Sequence, residues 1–365
     1  MKQQVCCLML QQVNWREGEM NQVVQVSGAH CAPLKLAGVN VERLQNDAAA
    51  FSRFGYPRLA RHLTPITAPW VAIGARIAGV PVGLALGFTL TSADGQSSSA
   101  HLLSLAVAPQ VRNRGIGRAL STAFVKEVQA NGASHVSAAY TSRLQHRSAL
   151  EHVLCAAGFA APILEELIVF GEAARFLAAA DASPAVRRRS GNVKIQNVTP
   201  WSQLSIADEL ALADLQRQPD YVSGFDPAPD AERFEPACSV QVRRDGRLVG
   251  WVTAEHARVL PLEGHRDRKA IVYRSAYLTE DLWHGGWLVG GFRAAMSAQV
   301  EAYGPASIVQ FYTSAPRMMQ MVRRRFGPIA LRVDEHWVMR HGDGRHSLAL
   351  TACQRPTPSC KQQEN

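Results

Sequence analysis

Residues Leu103–Leu120 read LSLAVAPQVRNRGIGRAL, and the change of pattern within them decides the fold. The first part is rich in Leu and Val and reads as a buried strand. Pro109 ends it, and Gly115-Ile116-Gly117 opens a helix whose Leu120, Phe124 and Val128 recur at helical spacing. A Gly-containing loop therefore joins the end of a strand to the start of a helix. Such a junction leaves the first N–H groups of the helix unpaired at the positive end of the helix dipole, which suits an anion. Arg112, Arg114 and Arg118 add positive charge around the loop, and glycine at 115 and 117 lets backbone approach a pyrophosphate with no Cβ in between. A phosphate-bearing cofactor fits this pattern.

Outward from the loop, one order of elements occurs twice. Residues 70–76, a turn at Gly79 and residues 81–88 form an expected hairpin, and residues 239–244, Asp245-Gly246 and residues 248–255 form another. Gly79 and Gly246 are 167 positions apart, as are Gly83 and Gly250. Each hairpin is followed by a strand (102–107; 271–278), a Gly-containing loop and a helix (117–131; 287–303). A strand then runs into Tyr140-Thr141-Ser142 in one half and Tyr312-Thr313-Ser314 in the other, 172 positions apart. A helix and a Gly–Phe neighbourhood (Gly158-Phe159; Phe326-Gly327) close each unit. The units are expected to begin with a strand at 23–27 and a helix at 39–54, and with a strand at 195–198 and a helix at 203–216. Two copies of a mixed α/β unit follow, each a central mixed sheet flanked by helices.

Length agrees, since 365 residues exceed one ordinary core and favour two domains. The expected divisions are a flexible extension at 1–19 (with Met1 or Met20 as the start), a catalytic domain at 20–177, an exposed linker at 178–192 (AAADASPAVRRRSGN), a degenerate copy at 193–341 and a disordered tail at 342–365. At 47% hydrophobic and 19% charged residues the chain reads as globular, and no apolar run nears the roughly 18–20 residues of a membrane span. The apolar run at residues 5–10 is too short for a secretory signal, so a cytoplasmic location is expected. Seven scattered cysteines with no CxxC pair suggest neither a disulfide framework nor a metal site. The net charge of +9 is diffuse, and without an aromatic-interleaved basic motif nucleic acid is not the expected partner.

Arg112-Asn113-Arg114-Gly115-Ile116-Gly117 resembles the R/Q-x-x-G-x-G/A signature of the GNAT acyltransferases, placed as there after a strand ending Leu-Ala-Val-x-Pro. Ser148, Leu150 and Gly158-Phe159 resemble that family's later helix. The resemblance covers most of residues 20–172 and, more faintly, 193–341. It implies that amides near Leu105, Ala106 and Val107 bind the pantetheine of acetyl-CoA or another acyl-CoA and polarise its thioester. It also implies that amides of Arg112, Asn113, Arg114, Gly115, Ile116, Gly117 and Arg118 hold the phosphates. In the second copy Trp287 and Leu288 stand in the positions of Ile116 and Gly117 and the loop has lost its arginines, so one cofactor site per chain is expected.

Direct acyl transfer to an amine needs a base for the amine, oxyanion stabilisation and a proton for the departing thiolate. The family often has a Tyr five residues before the Phe of its Gly–Phe pair, and here that position is Leu154. Tyr140 is the first candidate acid, with a core tyrosine whose hydroxyl is bonded as its plainer reading, then His152 and His146; His101 is the candidate base, with a surface histidine as its plainer reading. Cys155 reads as structural. The acceptor expected is a primary amine of a small metabolite, with a protein acceptor, a non-catalytic coenzyme A module, and an acyl-carrier-protein or aminoacyl-tRNA donor as alternatives. The chain is expected to be a monomer or homodimer.

Overall fold

The computed structural model describes residues 38–91, 98–190, 197–218, 221, 225–257, 259–282 and 285–342. The expected extension at 1–19, the strand at 23–27 and the tail beyond residue 342 lie outside the described residues. Among those described, no helix is long and apolar enough to cross a membrane. The described chain divides into two compact units, one of residues 38–165 with 335–342, the other of residues 166–334.

The first unit begins with strand β1 (Val39–Arg43) and two 3-10 segments (Ala48–Phe54 and Pro57–Leu63). Residues 39–54 are thus a strand and a 3-10 turn rather than the expected helix. Val39 and Val41 alternate in the β-branched pattern of a strand, Val41 is buried, and all five residues pair antiparallel with β2 (Trp70–Ile77). β3 (Val80–Thr91) pairs with β2 and with β4 (Ser98–Val107); helix α1 (Ile116–Ala130), β5 (His135–Thr141) and helix α2 (Arg147–Ala156) follow. β4 and β5 are parallel, as a strand–helix–strand crossover requires. α1 packs Ile116, Leu120, Phe124 and Val128 against one sheet face with Val71, Ile73, Leu102 and Val136. Phe124 is fully buried, and truncating such a side chain costs about 3–5 kcal/mol. The opposite face is covered by the 3-10 segments, which bring Phe51, Leu59 and Leu63 onto Trp70, Leu84, Leu86 and Phe88.

The next strand, β6 (Ile163–Glu172), passes into the second unit, where it pairs antiparallel with β11 (Ile308–Thr313). The last strand of the chain, β12 (Arg332–His341), makes the reciprocal step: His336 to His341 pair antiparallel with Thr141 to Val136 of β5. Each unit therefore takes its closing strand from the other half of the sequence. Within the first unit the strand order is β1-β2-β3-β4-β5-β12. The described part of the expected linker, residues 178–190, holds the end of helix α3 (Ala173–Ala182) and all of helix α4 (Pro184–Ser190). Six alanines in α3 favour helix, Phe176 is buried against Phe311 and Phe326, and Arg293 pairs with Asp181, so the segment packs within the second unit.

The second unit repeats the first: β7 (Val198–Pro200), α5 (Ile206–Gln216), β8 (Val240–Arg244), β9 (Arg247–His256), β10 (Ala270–Leu278), α6 (Trp287–Tyr303), β11 and α7 (Pro316–Arg325), with sheet order β6-β11-β10-β9-β8-β7. α5 starts at a capping box between Ser205 and Asp208. The Tyr-Thr-Ser match does not survive as a spatial match. Tyr140 faces the α1 core, whereas Tyr312 accepts from Gln310 and, one residue from Phe311 on the strand, faces the other way. A slip of one residue on a strand reverses every side chain, so the repeated tripeptide is out of register by one.

Candidate functional site

β4 carries a bulge. Leu102 opposes Gly87 and Ser104 opposes Leu86, leaving Leu103 as the extra residue. The side-chain alternation shifts by one there: Ala100 and Leu102 face α1, then Leu105 and Val107 do, while Leu103 turns to the face of the 3-10 segments and Ser104 donates to the Phe54 carbonyl. A bulge bends its strand. The parallel pairing of β4 with β5 accordingly ends at Leu102 and Ala138, although β4 continues to Val107 and β5 to Thr141. Among the described residues, the β4 edge opposite β3 has no strand partner from Leu103 to Val107, and β5 pairs with β12 on its far side. Leu105, Ala106 and Val107 thus lie on an opened edge.

The loop after β4 leads from that edge to α1. Pro109–Val111 make a 3-10 turn, Arg112 Nε donates to the Val107 carbonyl at 3.2 Å, and Asn113 and Gly115 take left-handed conformations with φ of 62° and 80°. Asn and Gly are the residues that enter this region at least cost. The first helical bond of α1 runs from Ala119 N–H to Gly115 C=O, so the N–H groups of Ile116, Gly117 and Arg118 precede the ladder. No acidic residue lies in this first turn, and Arg112, Arg114 and Arg118 are exposed around it. A Cβ on Gly117 would sit 3.3 Å from Val153 Cγ1 of α2, so glycine here also permits close helix packing. The result is an anion cradle at the mouth of the opened edge.

The candidate acid and base fall on opposite faces of the sheet. Tyr140 is buried on the α1 face, and its hydroxyl donates to Glu151 Oε1 at 2.5 Å; Arg147 Nε donates to the same oxygen at 2.6 Å. Burial, and next the Glu151 carboxylate, push the Tyr140 phenol well above its usual value. The hydroxyl is thus bonded to a carboxylate within the core. The Arg147 guanidinium lies 4.2 Å from the ring centroid of Trp337, which β12 places opposite Tyr140. His101 stands on the other face, its ring stacked on Phe88 at 5.0 Å and its Nδ1 2.7 Å from Ser137 Oγ. Burial lowers its pKa from the ordinary histidine value, favouring the neutral imidazole. His146 and His152 are exposed, as is Cys155, while Leu154 is fully buried in the α1 core.

Sequence reasoning missed Ser137, Glu151, Arg147 and Trp337. Arg147 and Glu151 stand at helical i,i+4 spacing and form an ion pair, a signal readable in the sequence. Ser137 and Trp337 have no such local signal, because only strand register brings them to His101 and Tyr140.

The second unit reproduces the frame without the cradle. β10 bulges at Arg274, between Tyr273 and Ser275, and its parallel pairing with β11 stops at Val272 and Gln310. Gly286, with φ of 78°, caps α6 as Gly115 caps α1. Trp287 and Leu288, packed with Val242, Leu278 and Leu282, then fill the places of Ile116 and Gly117.

The profile of the acetyltransferase (GNAT) family matches residues 41–150, which contain the opened strand, the loop and α1. These residues form a GNAT-family domain. Family membership implies acyl-CoA-dependent acyl transfer for the GNAT domain. A search of curated protein sequences finds no match. Among solved structures, the GCN5-related glucosamine N-acetyltransferase region of a fungal multi-domain GH3 β-N-acetylglucosaminidase is similar at 12% identity and a TM-score of 0.54, over 87% of this chain and 39% of that one. This chain thus spans well under half the length of that protein, and the likeness concerns the fold. A tandem GNAT protein from the clavulanic acid biosynthesis pathway is 15% identical over 84% of this chain and 99% of its own, with a TM-score of 0.49. A GCN5-related N-acetyltransferase from Sphaerobacter thermophilus is 11% identical over 84% and 96%, also at 0.49.

Proposed function

We propose that the GNAT domain binds one acetyl-CoA, or a related short acyl-CoA, and transfers its acyl group directly to the amine of a small metabolite. The observation that carries this is the continuity of the unpartnered β4 edge at Leu105, Ala106 and Val107 with the N–H cradle at Ile116, Gly117 and Arg118. An extended amide-bearing arm matches the first and a pyrophosphate the second. Bound there, the cosubstrate supplies an activated thioester. Backbone N–H groups of the opened strand orient and polarise its carbonyl, Arg112 and Arg114 neutralise phosphate charge, and neutral His101 accepts the proton of the amine. The thiolate takes its proton from solvent, since the Tyr140 hydroxyl is committed to Glu151 and Leu154 is apolar.

Calorimetry with acetyl-CoA is expected to give one site per chain, and Gly117→Trp to abolish it, because the indole would meet Val153 and cover the cradle. Leu288→Trp in the second unit is expected to leave affinity unchanged. Two sites, or binding that survives Gly117→Trp, would overturn the assignment. Free-thiol release over a panel of amines and peptides separates small-molecule from protein acceptors. Binding without release for any of them favours a non-catalytic module, a reading to which the committed Tyr140 hydroxyl lends weight.

A further inference from the structure

His101 and Ser137 form the last pair but one before β4 and β5 part, so their side chains meet at the apex of the opening. We propose that Ser137 is a positioning residue for His101: its hydroxyl accepts from Nδ1–H, which leaves the lone pair on Nε2 to take the proton of the acceptor amine. This rests on the role proposed for His101 above.

Two contacts grip the imidazole. Phe88 stacks on its face at 5.0 Å with an interplanar angle of 19°, and Ser137 Oγ holds its edge at 2.7 Å. Ser137 itself is fixed from both sides, since its backbone lies between His101 on β4 and Arg340 on β12. In a neutral imidazole one nitrogen carries hydrogen and the other a lone pair, and the partner of one decides the role of the other. With Ser137 accepting at Nδ1, Nε2 is a base; with Ser137 donating, Nε2 carries the proton and is not. His62, stacked on Trp70 at 3.8 Å, is the other titratable group of the same aromatic column, separated from His101 by Trp70 and Phe88.

A hydroxyl that accepts from Nδ1–H bonds the imidazolium more strongly than the neutral ring. Its removal then disfavours the charged ring and moves the acid limb of kcat/KM to lower pH. A hydroxyl that donates to the neutral ring can rotate to accept from the imidazolium, so the direction of the bond is read from the tautomer of the neutral ring.

The test uses the full chain labelled with 15N-histidine, with His101→Asn to identify the His101 signals. Wild type and Ser137→Thr are expected to show the Nδ1–H tautomer and Ser137→Ala a mixture. In Ser137→Ala, kcat should fall about tenfold and KM for acetyl-CoA stay unchanged, with Ser137→Thr restoring turnover. A wild-type Nε2–H tautomer, or an acid limb that rises in Ser137→Ala, overturns the proposal. The tautomer is read in the free chain and does not depend on knowing the acceptor. Full turnover in His101→Asn would instead sink the base assignment, and the positioning role with it, even where the spectrum shows Nδ1–H.

Discussion

At the scale of single residues, the loop from Arg112 to Arg118 is legible in the sequence, whereas the surroundings of Tyr140 and His101 are not. Arg112, Arg114, Gly115 and Gly117 could be read because their neighbours in space are their neighbours in sequence. Tyr140 could not, since its partner Glu151 lies on the next helix and its buried setting depends on the α1 core. Tyr140→Phe is expected to lower kcat less than about threefold, far below the hundredfold or more that removal of a general acid costs. Stability should fall by about 1 kcal/mol, the usual net value of one hydrogen bond. Turnover measured beside urea unfolding checks both, and a hundredfold loss of kcat would restore Tyr140 as the acid.

Among the elements, β4 shows what periodicity can and cannot give. Its Leu- and Val-rich composition announces a strand, but the extra residue at Leu103 becomes visible only against the partner strand β3. Deleting Leu103 would bring Leu102 and Ser104 into plain alternation without turning Leu105 or Val107 from the core, because the register on either side is already set. Such a chain is expected to keep its cooperative unfolding while the straightened strand closes on β5, weakening acetyl-CoA binding by about tenfold or more. Calorimetry and thermal unfolding of the same sample decide the matter, and undiminished affinity would show that the bulge does not make the site. The misread segment 39–54 has a similar cause: its alanines and Phe residues suit a helix, yet pairing of Val39–Arg43 with β2 outweighs that preference.

For the whole molecule, the reciprocal placement of β6 and β12 means that a cut at the apparent midpoint separates each unit from its closing strand. Residues 20–177 alone would leave β5 without β12 and would carry β6 with Leu167, Val169 and Phe170, all buried in the intact chain, exposed to water. An open edge beside an apolar strand aggregates. That fragment is expected to be insoluble, whereas residues 20–165 joined by a flexible linker to 335–342 should be soluble and fold cooperatively; size exclusion and circular dichroism distinguish them, and a well-folded 20–177 would refute the point. The sequence by itself determined the mixed α/β class, the duplication, and the loop of arginines and glycines with its altered counterpart in the second copy, because each rests on periodicity, turn chemistry and charge within a short window. Only the tertiary structure decided the bulge at Leu103, the separation of His101 and Tyr140 onto opposite faces, the slip between Tyr140 and Tyr312, and the exchange of closing strands. These depend on which backbone edges pair across long stretches of chain, and every strand edge offers the same hydrogen-bonding groups whatever its sequence.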